Sequence, residues 1–282
     1  MSEKKSSEYL IDPELYEAAI KYGEAGDPSG VYLQSREALK MMFSNITVDE
    51  SKASLEEIWI DNLFDDTKVR LLVLKPKHAN GKSPFYYDVH GGGMVAGTPE
   101  MDLGGLKDLT ENHQFVCVSV DYRLAPEHYQ PDQLHDMYSG IKWCVDHADQ
   151  LNIDTDKMAM GGGSAGAGLV AGLALYIRDH ADFSVRHLCL SLPMLDDRTA
   201  VQEKHPFNGQ YDFDRDGDYF GWKSVLHTEP GSDGISLYYC PARAESLAGM
   251  PSTYISVGSI ELFADEALDF AKKLMFGGVP VE

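Results

Sequence analysis

The sequence predicts an α/β fold with a mostly parallel central sheet, helices on both faces and a helical cap. Three observations predict it. From residue 55 onward, short apolar runs alternate with stretches of helical periodicity. The run 115–120 is continuously apolar, as in a strand covered on both faces. A serine stands between glycines where the apolar run 157–160 gives way to the small-residue helical run 169–176. With 282 residues the chain is long enough for one such domain with its own core.

Taken in order, residues 1–54 read as helical, with apolar positions at Leu15, Ala18, Ala19 and Tyr22, then Leu39, Met42 and Phe43. Asp12 and Pro13 suit a helix start, and 23–30 reads as a loop between two helices. Because this segment precedes the first strand, it is expected to cover the sheet as a cap segment. Strands are expected at 58–60 and 69–74, with Asp65-Asp66 as the turn between them, and at 85–89, running into His90-Gly91-Gly92-Gly93. Further strands are expected at 115–120, 157–160, 188–192 and 253–257, and helices at 103–112, 132–148 and 265–275. Residues 198–244 break the pattern, being rich in Asp, Gly and aromatics, and read as a cap insertion with a helix at 218–227. The core is then 55–197 with 245–282. Val279-Pro280-Val281 begins a further strand, which the sequence leaves incomplete at Glu282.

A net charge of −21 argues against nucleic acid or an anionic membrane as partner, because both would repel the chain. Four scattered cysteines without a CxxC pair read as reduced thiols. The first residues carry no apolar signal-peptide run, and no stretch approaches the ~18 apolar residues of a membrane span. The expectation is a cytoplasmic protein.

The chemistry lies in three loops. Gly162-Gly163-Ser164-Ala165-Gly166 is Gly-x-Ser-x-Gly at a strand-to-helix turn, where flanking side chains would collide and the serine hydroxyl projects as a nucleophile. His90-Gly91-Gly92-Gly93 follows a strand; glycines there let backbone N–H groups approach a ligand, and with the N–H of Ala165 they suit an oxyanion hole. His90 reads as support for that loop. The third loop, from Ser256 to Glu266, should hold the carboxylate that orients a histidine, with Glu261 the candidate. Asp265 and Glu266 look more like a helix first turn. Asp196 and Asp197 remain competing acids, although pairing with Arg198 or nearby backbone is the simpler role for them.

These pieces, with Asp121-Tyr122-Arg123-Leu124-Ala125-Pro126-Glu127-His128 and Pro193-Met194-Leu195-Asp196-Asp197-Arg198, resemble the bacterial hormone-sensitive-lipase family of α/β-hydrolases. The resemblance spans ~55 to 282 in the family's order. It implies an α/β-hydrolase fold and a carboxylesterase acting on short acyl esters, with no metal or organic cofactor. Ser164 and Glu261 are implied as nucleophile and acid, and the N–H groups of Gly92, Gly93 and Ala165 as oxyanion donors. The Tyr122-Arg123 stretch is implied to be a supporting network. Many relatives pair through the final sheet edge, which leaves a homodimer open. Two departures stand out: Gly163 occupies a place where the family more often has Asp or Glu, and Glu261 replaces the usual Asp.

A larger departure is an absence. In the family the catalytic histidine shortly follows a segment like Gly278 to Glu282, and none of the ten histidines here lies there. His205 and His227, in the inserted region, are the two able to approach Ser164 from above. Two readings follow: an esterase sequence incomplete at its end, which the mid-strand stop favours, or a non-catalytic ligand-binding relative. The plant gibberellin receptors, which resemble the family and lack the histidine, illustrate the second.

Overall fold

The computed structural model describes residues 7–22, 28–43, 46–202, 205–211 and 213–282. Seven strands form one sheet in the order β1-β2-β4-β3-β5-β6-β7. Strand β1 (Ala53–Asp61) and β2 (Lys68–Pro76) make a hairpin around the Asp65-Asp66 turn, and β2 also runs antiparallel to β4 (Val116–Asp121). The remaining pairings are parallel: β3 (Ser83–Val89) with β4 and with β5 (Ile153–Gly163), then β5 with β6 (His187–Ser191) and β6 with β7 (Ser252–Ser256). Val281 bridges in parallel to Thr253, and Glu282 exchanges backbone hydrogen bonds with this edge of β7. The mostly parallel sheet is therefore as expected.

The period of two along β3 assigns its faces. Phe85, Tyr87 and Val89 enter the larger core, with α4 (Asp132–Asp146), α6 (Ala165–His180) and the Phe270 and Leu274 side chains of α8 (Ala264–Phe276). A short α5 (Ala148–Leu151) leads into β5. Tyr86 faces the other way, against the smaller cluster of Leu72, Leu74, Leu103, Leu106 and Cys117 under α3 (Leu103–His113). Helices thus lie on both faces, but unequally. On the face of α3, Tyr254 of β7 is 43% exposed.

Helices α1 (Tyr16–Tyr22) and α2 (Pro28–Phe43) form in the N-terminal segment, and α2 starts inside the stretch expected to be loop. Residues 23–27 of that loop lie outside the described residues. The inserted region contains α7 (Arg215–Leu226), which begins earlier than expected because the Asp214 side chain caps it, accepting from the Gly217 N–H at 2.9 Å. The two segments touch each other: α2 packs on α7, and the N–H and hydroxyl of buried Ser7 both donate to the Gln210 side chain. Strand β5 is longer than expected at both ends: it starts at Ile153, and Gly161, Gly162 and Gly163 continue it to the serine.

Close backbone packing holds α6 in place. A Cβ on Gly172 would overlap the Tyr238 carbonyl, which lies within the backbone and cannot swing aside. Gly104, in the first turn of α3, has nothing within 4 Å of the same position. Replacing a helical glycine by alanine gains up to ~1 kcal/mol of propensity, whereas overpacking a rigid neighbour costs ~1–3 kcal/mol. Gly104→Ala should therefore stabilise by about 0.5–1 kcal/mol, and Gly172→Ala should destabilise by about 1–2 kcal/mol net. Urea midpoints of both variants check this, and equal shifts would contradict it.

Candidate active site

The site assembles where β3 and β5 end side by side, Val89 pairing with Gly162. Ser164 sits at the turn from β5 into α6 with φ 54° and ψ −122°, a conformation that L residues rarely adopt. Its N–H donates to the Ser191 carbonyl at 2.9 Å, and its own carbonyl accepts from Met194 (3.1 Å) and Gly168 (3.2 Å). A side chain at either Gly162 or Gly166 would collide with the Val89 carbonyl, so only glycine permits this approach. Gly163 differs, having nothing within 4 Å of a Cβ. An acidic side chain there would meet no neighbour at its Cβ.

The 90–93 loop lies directly against the serine. A Cβ on Gly91 would stand 3.5 Å from the Ser164 Cβ and 2.8 Å from the Gly163 carbonyl. Gly92 and Gly93 take φ of 113° and 62°. Among the described residues, the N–H groups of Gly92, Gly93 and Ala165 find no backbone acceptor. His90 is fully buried, its ring stacked on Tyr122 at 4.2 Å, while the Tyr122 hydroxyl donates to the His90 carbonyl at 2.9 Å. Because Nδ1 contacts the Gly91 carbonyl at 2.8 Å, that nitrogen carries the proton. Burial holds the His90 pKa below its ordinary value, so the ring stays neutral and braces the loop. Arg123 beside it is held by Asp136, with further ion pairs to Asp65 and Asp132.

Glu261 lies in the turn after β7, its N–H donating to the Gly258 carbonyl at 3.1 Å and its Cγ folded over Gly258. The competing acids have other work. Asp196 binds Arg198 at 2.7 and 2.8 Å, and Asp197 binds Arg243 at 2.6 and 2.7 Å together with the Gly231 N–H. Asp265 and Glu266 do fall in the first turn of α8. Glu266 is buried, however, and accepts from the Leu195 N–H at 2.6 Å and from the Thr199 hydroxyl, tying α8 to the segment after β6.

Among the described residues no side chain hydrogen-bonds the Ser164 hydroxyl. His227 is exposed and stacks on Tyr129 at 4.4 Å. His205 accepts from the Phe207 N–H and lies against the Phe207 ring. His128, His147, His180 and His187 are bonded to Asp132, Trp143, Tyr238 and Ser252.

The sequence reading missed a carboxyl pair beneath the loop. Asp88, two residues before His90, points to the α3 face, is 4% exposed and accepts from the Ser119 hydroxyl at 2.7 Å. With Asp102 it borders a cleft of ≈ 560 Å³ between α3 and the ends of β3, β5, β6 and β7, with Gly163 and Ser191 on its wall. Burial, then the charge of Asp102, raise the Asp88 pKa well above the carboxylate range, and burial raises Asp102 to about 6. The signal available in the sequence was an acid at an inward position of a strand.

An α/β sheet with a serine on a strained strand-to-helix turn, faced by a glycine loop, defines a hydrolase scaffold. The comparisons agree. Residues 86–282 match the family described as alpha/beta hydrolase fold. An arylesterase of Saccharolobus solfataricus is 30% identical over 219 residues, 77% of this chain and 70% of that one. Esterase LipI of Mycobacterium tuberculosis is 28% identical over 225 residues, 73% of this chain, and the match spans 64% of its length. Among solved structures, a bacterial heroin esterase superposes with a TM-score of 0.89 at 29% identity, covering 98% of this chain and 88% of that one. The chain belongs to the alpha/beta hydrolase fold family.

The buried acid pair generates a pH prediction. A carboxyl whose folded-state pKa lies above its unfolded value contributes stability at low pH that is lost as pH rises through the folded pKa. Asp88→Asn keeps the acceptor for Ser119 and removes the titration. From pH 4 to pH 8 the variant should gain stability over the parent, with a slope of up to about 1.4 kcal/mol per pH unit. Urea unfolding across that range measures the difference, and a pH-independent difference would contradict it.

Proposed function

We propose that the chain carries the acyl-transfer machinery of a serine carboxylesterase for short-chain esters. The observation that carries this is the Gly91 backbone set against Ser164, with a Cβ-to-Cβ distance of 3.5 Å for a side chain built there. A carbonyl attacked by the Ser164 oxygen would leave its developing charge beside the N–H groups of the 91–93 loop and of Ala165. Those donors are aimed beforehand, and the α6 N-terminus adds its dipole. The serine would form an acyl-enzyme that water then cleaves. Glu261 is assigned to orient a histidine, as its place after β7 suggests. The N-terminal helices and the 198–244 insertion would cap the site, with a small acyl ester beneath them. The named activities of the arylesterase and of LipI support this substrate class.

The base is the exception. No histidine of this sequence is assigned to it, because His205 and His227 are engaged elsewhere. A serine without a base is a weak nucleophile, and the hole and binding alone leave roughly 10³–10⁴-fold over water. That no side chain among the described residues hydrogen-bonds the Ser164 hydroxyl also favours a second reading, a ligand-binding relative that does not hydrolyse.

Hydrolysis of a short-chain p-nitrophenyl ester should therefore be weak, and a serine-directed phosphonate should label Ser164 slowly. Beyond the rate with imidazole alone, added imidazole should raise both rates in the parent and neither in Ser164→Ala. Robust turnover abolished by His205→Ala or His227→Ala would overturn the assignment of the base. No labelling with or without imidazole, alongside tight binding of a small acyl compound, would select the ligand-binding reading.

A further inference from the structure

The turn after the loop glycines is held by three successive carbonyl oxygens, each contacted by a different element. Within the turn, the N–H groups of Val95 and Ala96 both donate to the Gly92 carbonyl, at 3.1 and 2.9 Å. The Gly93 carbonyl abuts α7, where a Cβ on Gly221 would stand only 2.7 Å from it. The Met94 carbonyl accepts from the Ala125 N–H at 2.9 Å. The Val95 carbonyl accepts from Arg36 Nε at 2.7 Å.

Arg36 belongs to α2, which is outside the sheet. Its Nη2 donates to the Ala125 carbonyl at 2.6 Å, and Nη1 and Nη2 reach the two oxygens of Glu127 at 2.9 and 3.0 Å. One guanidinium therefore holds the turn directly at Val95 and indirectly through Ala125, whose N–H holds Met94. The fork is planar and rigid, so its donors move together, and ionised donors make the stronger hydrogen bonds. Glu127 is the minor contributor: its side chain is 56% exposed, and exposed ion pairs contribute little.

We propose that Arg36 is a positioning residue that couples the seating of α2 to the geometry of the 90–97 loop. The loop's glycine N–H groups then reach their working arrangement when α2 is docked, and they lose it when the helix lifts. The significance of that arrangement rests on the loop's proposed role in holding an oxyanion. The coupling itself is a property of the folded chain and is read without substrate.

Amide hydrogen exchange on the full chain tests it. Arg36→Met, which keeps length and removes the fork, should speed exchange at Val95, Ala96 and Ala125 at least tenfold and shift the Gly92 and Gly93 amide resonances. The amides shared between β3 and β5 should be unchanged. Glu127→Gln, which leaves the Arg36 bonds to both carbonyls, should keep the same three amides within twofold of the parent. Arg36→Lys, unable to bridge both carbonyls, should fail to restore protection; it also carries the test if Arg36→Met does not fold. The inference is overturned if α2 loosens while the three loop amides hold. It is equally overturned if Glu127→Gln loosens them as much as Arg36→Met, because the contact would then be a helix-docking ion pair. Exchange and ester hydrolysis are separate measurements, so a chain that hydrolyses nothing still tests the coupling, and a hydrolysing chain with an unmoved loop removes this inference alone.

Discussion

Backbone meets backbone where β3 ends, and the candidate site depends on that approach. The Val89 carbonyl occupies the space that side chains at Gly162 and Gly166 would need, so β5 and the first turn of α6 press directly onto the end of β3. Parallel pairing of Val89 with Gly162 sets the level of the two strand ends. With so little room, the chain can turn from strand to helix only through a left-handed residue, and Ser164 takes that place at φ 54°. Such a conformation costs of order 1–3 kcal/mol and persists where the surroundings over-determine it. Here the Ser191 carbonyl fixes its N–H, and two donors fix its carbonyl.

The same closeness governs the facing loop. With the β3 end pressed against α6, residues 90–93 leave the sheet alongside Ser164 and must turn sharply, which Gly92 and Gly93 allow through positive φ. Its three glycines bring no side chains to pack. It is braced from below by the neutral His90 ring on Tyr122, and from the side by Ala125, Arg36 and α7. The N-terminal and inserted segments therefore both reach this loop at its main-chain oxygens.

For a chain of net charge −21, the fate of buried acids is informative. Asp136 and Asp197 lie beside arginines that match a carboxylate with a planar fork; at Asp136 these charge-assisted bonds offset burial in part, and burial still raises the pKa. Asp88 has a hydroxyl and another acid for neighbours, so its charge is opposed instead. All three look alike as letters. What separates them is the partner brought to each, Arg123 to Asp136 and Arg243 to Asp197.

Periodicity and turn residues made the strand and helix series readable, and the three loops could be placed because each follows a strand. The Gly161 to Gly163 run reads as a turn but continues β5, because β6 pairs with all three glycines and β3 pairs with Gly161 and Gly162. Helix α7 starts three residues earlier than its apolar pattern suggests, since the Asp214 cap is a local bond that periodicity does not register. The turns that carry Ser164, the glycine loop and Glu261 were legible in the sequence, because the first two need glycine at fixed local spacing and all three follow strands. The Arg36 clasp, the Asp88–Asp102 pair and the diversion of His205 and His227 to Phe207 and Tyr129 were decided by tertiary structure. Except for His205 and Phe207, which are two residues apart, these contacts join residues well separated in the chain, and the packing of α2, α3 and α7 around the sheet brings them within reach.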